Sequence, residues 1–365
     1  MTLFNAHLIA AARPNFMKIA PLYHELAAQR WCRPSIVHTG QHYDANMSDA
    51  FFHDLRLPKP HFHLNIGSGS HAEQTGGVMI AYEKIALAEQ PDCLIVVGDV
   101  NSTAACAMVG AKLRVPVVHL EAGLRSGDRR MPEEINRLVT DAISDVLWTP
   151  SRDADENLIR EGIAPDKIDL VGNIMIDSYE MLREAIVASD ASAQFGLAGR
   201  TYAVVTLHRP SNVDSPDILG RLITQLLAAA REIDLVFAIH PRTRKRIEEF
   251  GLLEGLRNCT QIKLTEPLGY IQFMNVVRGA AAVVTDSGGV QEESTYLGIP
   301  CLTMRENTER PITVSEGTNR LVSTDDLLNS LRAAVSGRWE TGKRPLNWDG
   351  HTAARCEAAL RRRFG

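Results

Sequence analysis

Three acidic residues in the first half of the chain each follow a short apolar run. Asp99 ends Leu94-Ile95-Val96-Val97-Gly98-Asp99, Glu121 follows Val117-Val118-His119-Leu120, and Glu133 lies in Met131-Pro132-Glu133-Glu134-Ile135-Asn136-Arg137. Carboxylates at the carboxyl edge of a parallel sheet meet at its ligand crevice, where clustering raises their pKa values and suits acid–base chemistry at carbon. The alternative is that Glu133 and Glu134 cap a helix and pair with Arg137, which fits Glu134 best.

Cationic side chains follow other apolar runs. Arg13 and Lys18 come after the first run of the chain, and His208 and Arg209 come after Tyr202–Thr206. Cations placed there can hold a leaving diphosphate or a developing negative charge. A histidine in this position is a candidate general acid or phosphate ligand. His240 also follows an apolar run and is a candidate for the same crevice, whereas the basic run after it is typical of a solvated helix start.

A phosphate-binding turn is predicted late in the chain. Val283-Val284-Thr285-Asp286-Ser287-Gly288-Gly289-Val290-Gln291-Glu292-Glu293 has the pattern of a strand, a small-residue turn and a helix start. Gly288 and Gly289 let backbone N–H groups approach an anion at the helix N-terminus, and Ser287 adds a hydroxyl donor. Glu293, one turn later, can accept hydrogen bonds from ribose hydroxyls. The alternative is an ordinary strand-to-helix turn capped by serine or aspartate.

Two further residues are candidates for nucleotide contacts. Arg310 lies in the polar stretch after the run at Cys301, and its guanidinium suits bidentate contact with phosphate oxygens. A solvated loop with internal ion pairs is the alternative there. Phe273 can stack on a base, although an aromatic residue at helical spacing is more often part of a core. His61 and His63 are predicted to lie in a surface loop.

The elements that must position these residues alternate between apolar strands and amphipathic helices. Strands are predicted at His7–Ala11, Ser35–Thr39, Cys93–Val97, Pro116–His119, Asp145–Thr149, Tyr202–Thr206, Val236–Ile239, Ala281–Thr285 and Cys301–Thr303. Helices are predicted between them, including Lys18–Gln29, Gly77–Glu89 and Thr103–Lys112, and Ala188–Gly199 is predicted to be a loop. This alternation predicts an α/β protein with two doubly wound parallel sheets and a ligand cleft between the two domains.

Composition narrows the class of protein. The chain has 365 residues, more than one ordinary core accommodates, and a formal net charge of −5, which argues against a general nucleic-acid binder. The six cysteines show no paired spacing and suit reduced, buried thiols rather than disulfides or a metal site. No signal peptide or membrane-spanning run is evident, so a cytoplasmic protein without membrane partners is expected.

A set of segments in fixed order carries a resemblance to a known family. They are Arg13-Pro14 with Lys18, Thr39-Gly40-Gln41-His42, Gly98-Asp99, His119-Leu120-Glu121-Ala122-Gly123-Leu124-Arg125, Pro132-Glu133-Glu134-Ile135-Asn136-Arg137, Gly172-Asn173, His208-Arg209, Asp286-Ser287-Gly288-Gly289-Val290-Gln291-Glu292-Glu293 and Thr308-Glu309-Arg310-Pro311. Together they resemble the non-hydrolysing UDP-N-acetylglucosamine (UDP-GlcNAc) 2-epimerase family over essentially the whole chain.

The resemblance implies two Rossmann-like domains in a GT-B-like arrangement. Residues 1–171 with a C-terminal helix at about 350–365 would form the domain of the catalytic acids, and residues 172–349 the UDP-binding domain. It implies interconversion of UDP-GlcNAc and UDP-ManNAc, by anti-elimination of UDP to 2-acetamidoglucal and re-addition of UDP, to supply precursors for surface polysaccharide. It also implies a small-molecule UDP-sugar substrate, a homodimer, and no cofactor or metal.

The resemblance also assigns roles to individual positions. Asp99, Glu121, Glu133, His208, Arg13 and Lys18 match its catalytic residues, and Ser287, Gly288, Gly289, Glu293, Arg310 and Phe273 match its UDP-binding residues. Gln41, Glu134, Arg209 and His240 match a second pocket in which substrate activates many bacterial members. Asp44 stands there in place of a glutamine, and Ser211 replaces an acid that follows the family's His-Arg pair. These departures leave activation by substrate and the identity of the N-acyl sugar open.

Other activities share parts of this pattern. A hydrolysing relative that releases UDP and free ManNAc would have every motif, and a 2,3-diacetamido sugar nucleotide is an alternative substrate. A glycosyltransferase of the same architecture leaves the three acids and the Arg13–Lys18 pair without a task. A sugar-nucleotide sensor without activity would not need the acids.

Overall fold

The computed structural model describes residues 3–40, 52–340 and 342–365, and the chain divides into two compact units. The first comprises Met1–Met181 and Leu346–Gly365, and the second Leu182–Pro345. The resemblance implied a second domain of residues 172–349, whereas residues 172–181 and 346–349 belong to the first unit.

The first unit contains a parallel sheet of seven strands. They are β1 (Phe4–Ala10), β2 (Cys32–His38), β3 (Phe62–His63), β4 (Cys93–Val97), β5 (Val117–Leu120), β6 (Val146–Thr149) and β7 (Ile168–Leu170). The spatial order is β3-β2-β1-β4-β5-β6-β7, so the strand order reverses between β1 and β4. All five residues of β4 are buried, as expected for a central strand covered by helices on both faces.

Helices connect and cover these strands. Those with both ends in the described residues are α1 (Arg13–Ala27), α2 (His71–Glu89), α3 (Asn101–Leu113), α4 (Pro132–Ile143), α5 (Arg152–Arg160) and α6 (Ile174–Ala188), the last of which contains the boundary between the units. A short 3-10 helix, Pro165–Lys167, precedes β7.

The second unit repeats the design with six parallel strands. They are β8 (Tyr202–Thr206), β9 (Asp234–Ala238), β10 (Ile262–Thr265), β11 (Ala282–Thr285), β12 (Cys301–Thr303) and β13 (Asn319–Leu321), in the order β10-β9-β8-β11-β12-β13. Its helices are α7 (Ala191–Gln194), α8 (Pro210–Val213), α9 (Pro216–Ala229), α10 (Pro241–Glu249), α11 (Leu253–Arg257), α12 (Tyr270–Arg278), α13 (Gly288–Leu297), α14 (Ile312–Ser315) and α15 (Leu327–Val335). Strand order reverses between β8 and β11, and one apolar cluster that includes Leu222, Phe237 and Leu302 lies around the sheet.

The final helix, α16 (Thr352–Phe364), returns to the first unit. Trp31 donates its indole N–H to Glu357 at 3.0 Å, and the rings of Phe4 and Phe364 stack with centroids 5.8 Å apart. Just before the helix, a Cβ built on Gly172 would lie 2.2 Å from the carbonyl oxygen of Asn347, so this contact requires glycine. The resemblance had implied such a return of the C-terminal helix.

Helix α4 has an unusual buried face. It buries Glu134, Arg137, Thr140 and Asp141, while Ile135 and Val139 on other faces are 37% exposed. A helix on a sheet ordinarily buries its apolar stripe. Here the buried stripe is charged, which requires partners within the unit.

Both predicted sheets are present and parallel, and the two-domain α/β class is confirmed. Several local predictions were wrong. Four edge strands, β3, β7, β10 and β13, were not predicted, and His63 lies in β3 rather than in a loop. The stretch predicted as a loop at Ala188–Gly199 contains the short helix α7, and α1 begins at Arg13, five residues before the predicted helix start at Lys18.

The cysteine prediction is confirmed, since all six thiols are free, five of them buried and Cys259 partly so. In the part of the chain that the structure describes, no helix is long and apolar enough to cross a bilayer.

Candidate active site

In the first unit, the predicted residues gather where the strand order reverses. At such a point the loops after two central strands diverge and leave a crevice for a ligand. Asn15 joins the two loops, because its side chain accepts hydrogen bonds from the backbone N–H groups of Ala11 (3.3 Å) and Ala12 (2.9 Å) and donates to the carbonyl of Val97 (3.1 Å). The segment after β1 is therefore fixed against the end of β4.

Lys18 and Glu121 form a buried ion pair at this point. Their side chains are 12% and 3% exposed. The pair packs against Gly98, where an added Cβ would lie 3.3 Å from Lys18 Nζ and 3.5 Å from Glu121 Oε2. Gly98 has φ of +69° and thus the left-handed conformation that favours glycine.

Glu121 combines two features typical of a functional residue. Its φ is +70°, a conformation that costs a non-glycine residue of the order of 1 kcal/mol or more. Oε2 pairs with Lys18, whereas the buried Oε1 has no hydrogen-bond partner among the described residues. Buried polar atoms are nearly always satisfied, so an exception at a ligand crevice marks a candidate contact with substrate.

Asp99 is held by α4. Its carboxylate pairs with Arg137, and its carbonyl accepts a hydrogen bond from Asn136 at 2.9 Å. Arg137 also pairs with Glu134 at 2.6 Å, the pairing that the sequence had offered as an alternative role for that glutamate. Asp99 retains 33% side-chain exposure, which leaves it accessible to a ligand.

Glu134 is occupied by contacts within its own unit. Its carboxylate accepts hydrogen bonds from the backbone N–H groups of Ser126 (3.0 Å) and Gly127 (2.9 Å) in addition to Arg137. Burial alone would raise the pKa of Glu134, but these donors lower it below its usual range. The geometry shows an anchor for the loop before α4.

Of three other predicted residues, two are exposed and one lies outside the described part. Glu133 is exposed beside buried Glu134, and Arg13 is exposed at the first residue of α1. Gln41, predicted for the second pocket, lies outside the described residues.

In the second unit, a buried aspartate organises the loop after β8. Asp286 follows β11 and accepts hydrogen bonds from the backbone N–H groups of His208 (3.0 Å) and Arg209 (2.9 Å). His208 Nδ1 lies 2.8 Å from Asp286 Oδ1. Burial opposes ionisation of Asp286, but the contacts from His208, Asn212 and the Arg209 backbone outweigh it and lower the pKa. A histidine oriented in this way by a carboxylate through Nδ1 presents Nε2 as its second polar atom.

His240 lies beside His208, with ring centroids 5.5 Å apart. Its pKa is lowered by burial and by the neighbouring His208, against an opposing effect of Asp286. The structure therefore brings together three of the predicted residues of this unit, His208, Arg209 and His240.

Three guanidinium groups surround Glu309. Arg209 NH2 lies 3.3 Å, Arg305 NH1 2.7 Å and Arg310 NH1 2.9 Å from its carboxylate oxygens. Although burial opposes ionisation, these cations hold the pKa of Glu309 well below its usual range. Arg310 also pairs with Glu292 at 2.7 Å. The cluster places positive charge next to the start of α13.

The predicted phosphate turn has the expected form. Ser287 precedes α13, and the first N–H groups of a helix have no intrahelical acceptor, which makes them available to an anion. A Cβ on Gly288 would lie 2.5 Å from Arg310 NH1, so glycine is needed for Arg310 to approach the turn. Gly289 has open space at the same point.

Glu293 is buried one turn into α13. Burial raises its pKa to about 8, with a further contribution from Glu292 and an opposing hydrogen bond from Tyr270. Phe273 is half-buried on α12, the helix that carries Tyr270.

Sequence reasoning did not assign roles to Asp141, Asp286 or Glu309. A signal was present for the first, because Glu134, Arg137 and Asp141 recur at the spacing of one helix face. Asp286 directly follows a strand, the criterion that identified the other acids. Across residues 3–40, 52–340 and 342–365, no group of three or more His, Cys, Asp or Glu side chains could hold a metal ion.

Comparison with known proteins decides the family. The family model for UDP-N-acetylglucosamine 2-epimerase matches residues 24–361. The chain belongs to this family. Its members are isomerases, and the fold agrees, since the crystal structure of Methanocaldococcus jannaschii UDP-GlcNAc 2-epimerase in complex with UDP-GlcNAc and UDP matches with a TM-score of 0.89 at 40% identity over 98% of this chain and 99% of that one.

Epimerases of two substrate types are similar in sequence. The UDP-N-acetylglucosamine 2-epimerase of M. jannaschii is 44% identical over 86% of this chain and 87% of the relative. The UDP-2,3-diacetamido-2,3-dideoxy-D-glucuronate 2-epimerase of Pseudomonas aeruginosa is 40% identical over 90% of this chain and 91% of the relative.

The raised pKa of Glu293 predicts a pH-dependent stability difference. Between the unfolded value of 4.5 and the folded value of about 8, the native state binds the extra proton, so this group's contribution to stability falls as pH rises through that window. Glu293→Gln removes the effect. The free energy of unfolding of the variant minus that of the wild type should rise from pH 5 to pH 8, by at most about 1.4 kcal/mol per pH unit.

Urea titrations at several pH values measure this difference. Glu248→Gln, at an exposed position of α10, is the control and should give a flat difference. A flat difference for Glu293→Gln as well would contradict the assignment of a buried, protonated Glu293.

Proposed function

We propose that the protein interconverts UDP-GlcNAc and UDP-ManNAc by epimerisation at C2. The observation that carries the proposal is the buried Lys18–Glu121 pair, with one carboxylate oxygen unsatisfied and the glutamate in a left-handed conformation. Such an arrangement suits proton transfer at a bound sugar. The family membership and the similarity to an epimerase crystallised with UDP-GlcNAc and UDP support the same substrate class.

The proposed reaction is an elimination followed by its reverse. A carboxylate of the first unit removes the C2 proton, the C1–O bond to UDP breaks, and a C1=C2 double bond forms, giving 2-acetamidoglucal. UDP then adds back at C1 while C2 is protonated on the opposite face. Asp99, Glu121 and Glu133 are the candidates for the two proton transfers, and Lys18 and Arg13 for stabilising negative charge.

The second unit is proposed to hold the nucleotide. The N-terminus of α13 and Arg310 suit the diphosphate, His208 suits a hydrogen bond to the leaving oxygen, and Glu293 suits the ribose hydroxyls. Phe273 is proposed as the neighbour of the base. Arg209 and His240, which the resemblance assigns to a second pocket, lie beside His208. Binding of a second, activating substrate molecule next to His208 is therefore still a prediction.

A second candidate is an epimerase of a 2,3-diacetamido sugar nucleotide. The 40% identity to the P. aeruginosa 2-epimerase of such a sugar favours including it. The two candidates share the chemistry at C2 and differ in the substituents at C3 and C6, so they are separated by substrate and not by mechanism.

Deuterium exchange separates the candidate reactions. Purified protein incubated with UDP-GlcNAc in deuterium oxide should form UDP-ManNAc and exchange the C2 proton for deuterium, because the elimination removes that proton to a solvent-exchanging group. Proton NMR of C2 and of the anomeric signals measures both events. Free ManNAc with stoichiometric UDP would instead show hydrolysis, and turnover of a 2,3-diacetamido substrate alone would support the second candidate.

The two units should respond differently to substitution. Asp99→Asn, Glu121→Gln and Glu133→Gln should each lower turnover by about 100-fold or more, in the range of acid–base catalysis, with little change in UDP affinity. Arg310→Ala should chiefly weaken UDP binding, because it removes a guanidinium from the predicted phosphate turn. Steady-state kinetics and calorimetry with UDP provide the two measurements. Near-normal turnover in all three acid variants would rule out the acid–base assignment.

We further propose that the protein is a homodimer that pairs through α2. Ile80 and Leu87 are 64% and 59% exposed, and together with exposed Glu83 and Lys84 they form one face of the helix. An antiparallel two-fold contact centred between Glu83 and Lys84 places Ile80 against the partner subunit's Leu87 and Lys84 against the partner subunit's Glu83. The face is therefore complementary to itself in both apolar and charged positions.

The mass in solution tests this surface. Light scattering should give about twice the chain mass of 40.2 kDa for the wild type and a shift toward the monomer for Ile80→Asp, because a buried unpaired charge is costly. Ile159→Asp, at a residue of α5 that is 52% exposed, should leave the mass unchanged. A monomeric wild type, or an Ile80→Asp variant that stays dimeric, would exclude this interface.

A further inference from the structure

Asp141 and His119 are buried, ionisable and outside the set of residues to which the proposed reaction gives a task. Their side chains are 1% and 0% exposed, and His119 Nδ1 lies 2.6 Å from Asp141 Oδ1. Burying such a pair is costly unless its remaining polar atoms are also satisfied. The rest of their contacts therefore shows what the pair does in the fold.

The pair contacts both loops that carry the proposed acids. His119 Nε2 lies 2.8 Å from the carbonyl oxygen of Gly98, the residue before Asp99. Asp141 Oδ2 accepts a hydrogen bond from the backbone N–H of Gly123 at 3.1 Å, two residues after Glu121. His119 itself is in β5, two residues before Glu121. One carboxylate thus connects the end of β4 with the end of β5.

The hydrogen-bond partners of His119 indicate which of its ring nitrogens act as donors. A backbone carbonyl only accepts, and an ionised carboxylate only accepts, whereas a neutral imidazole has a single N–H. Asp141 is ionised, because Arg125 pairs with it at 2.8 Å and, together with His119, lowers its pKa against the effect of burial. Both ring nitrogens of His119 therefore face acceptors, and the arrangement is satisfied when His119 donates from each of them.

The loop after β5 contains a strained residue. Glu121 has φ of +70°, which is unfavourable for a residue with a Cβ, whereas Gly98 and Gly123 adopt positive φ (+69° and +80°) without strain. Strained conformations persist where the surrounding contacts over-determine them. His119 and Gly123 lie two residues before and two residues after Glu121, and Gly98 lies directly before Asp99. The bonds to Gly98 and Gly123 can therefore supply that constraint.

We propose that Asp141 is a positioning residue for the epimerase reaction, which holds Asp99 and Glu121 in their relative places through His119 and the Gly123 N–H. This inference rests on the proposed function for its effect on turnover. It goes beyond that function by assigning a task to a buried residue that has no role in the proton transfers. Arg137, one helical turn away, holds the Asp99 carboxylate from the same face of α4.

Asp141→Asn tests the proposal with little change in shape. The amide lacks the charge, so the ion pair with Arg125 is lost, and the charge-assisted bonds to His119 and the Gly123 N–H are replaced by weaker neutral ones. Displacements of about 1 Å in a reacting group cost roughly 10²-fold in rate, so kcat should fall by about 10- to 100-fold. KM and UDP affinity should stay within about twofold, because UDP is proposed to be held by the second unit.

Asp177→Asn is the matched control. Asp177 is also buried in the first unit and also accepts a backbone N–H, that of Ala353 at 2.7 Å, but it anchors the C-terminal helix. Its amide variant should lose thermal stability without loss of kcat in the folded enzyme. Equal kcat values for the Asp141 and Asp177 variants, measured where both are folded, would overturn the positioning role.

A spectroscopic measurement decides the hydrogen bonds independently of activity. In protein labelled with ¹⁵N-histidine, the His119 resonances, assigned by their absence in His119→Gln, should show a proton on both nitrogens in the wild type and on one in Asp141→Asn. A wild-type His119 with one unprotonated nitrogen would overturn the proposed connection. An inactive wild type with a doubly protonated His119 would instead refute the proposed function and leave the connection in place.

Discussion

Each sheet has a buried carboxylate at its carboxyl edge, and the loops of the candidate site depend on it. Asp141 in the first unit and Asp286 in the second are 1% and 0% exposed, and each contacts a histidine side chain and at least one backbone N–H group. A buried charge is stable only when its partners are in place, so loss of a partner leaves an uncompensated ion. The backbone after β5 and after β8 is therefore tied to the ionised state of one residue in each unit.

The carboxylates proposed to act on substrate are likewise paired with cations. Glu121 is paired with Lys18, and Asp99 with Arg137. In each pair the cation is fixed beside the carboxylate, so positive charge is already in place where negative charge would develop during the proposed reaction. In the second unit Glu309 is surrounded by three arginines, so positive charge is concentrated there before any phosphate arrives.

The sequence predicts the central strands better than the edges of the sheets. Cys93–Val97, Tyr202–Thr206 and Cys301–Thr303 have the predicted bounds, because strands covered on both faces are continuous apolar runs. The four strands that were not predicted are the two outermost strands of each sheet. They are two to four residues long, paired on one side only, and include polar residues such as those of Asn319–Leu321, so they lack that signal.

For the site, the rule that acids and cations follow strands located Asp99, Glu121 and His208 at the points where strand order reverses. It could not show that the Glu134 carboxylate is hydrogen-bonded to the preceding loop while Glu133 stays exposed, since both residues occupy the same helix turn. It also could not identify Asp141, which follows no strand. The spacing of Glu134, Arg137 and Asp141 indicates a shared helix face, but only the tertiary structure shows that this charged face is buried.

The course of the chain has a consequence for biosynthesis. The first unit is interrupted by Leu182–Pro345 and regains its last helix only with Thr352–Phe364, so the bond between Trp31 and Glu357 closes a sequence separation of 326 residues. A nascent chain emerging from the ribosome can form the first sheet early, but Phe4 and Trp31 then lack the helix that packs on them. The unit that is synthesised first is completed last, and translation that stalls within the second unit leaves an apolar surface of the first uncovered.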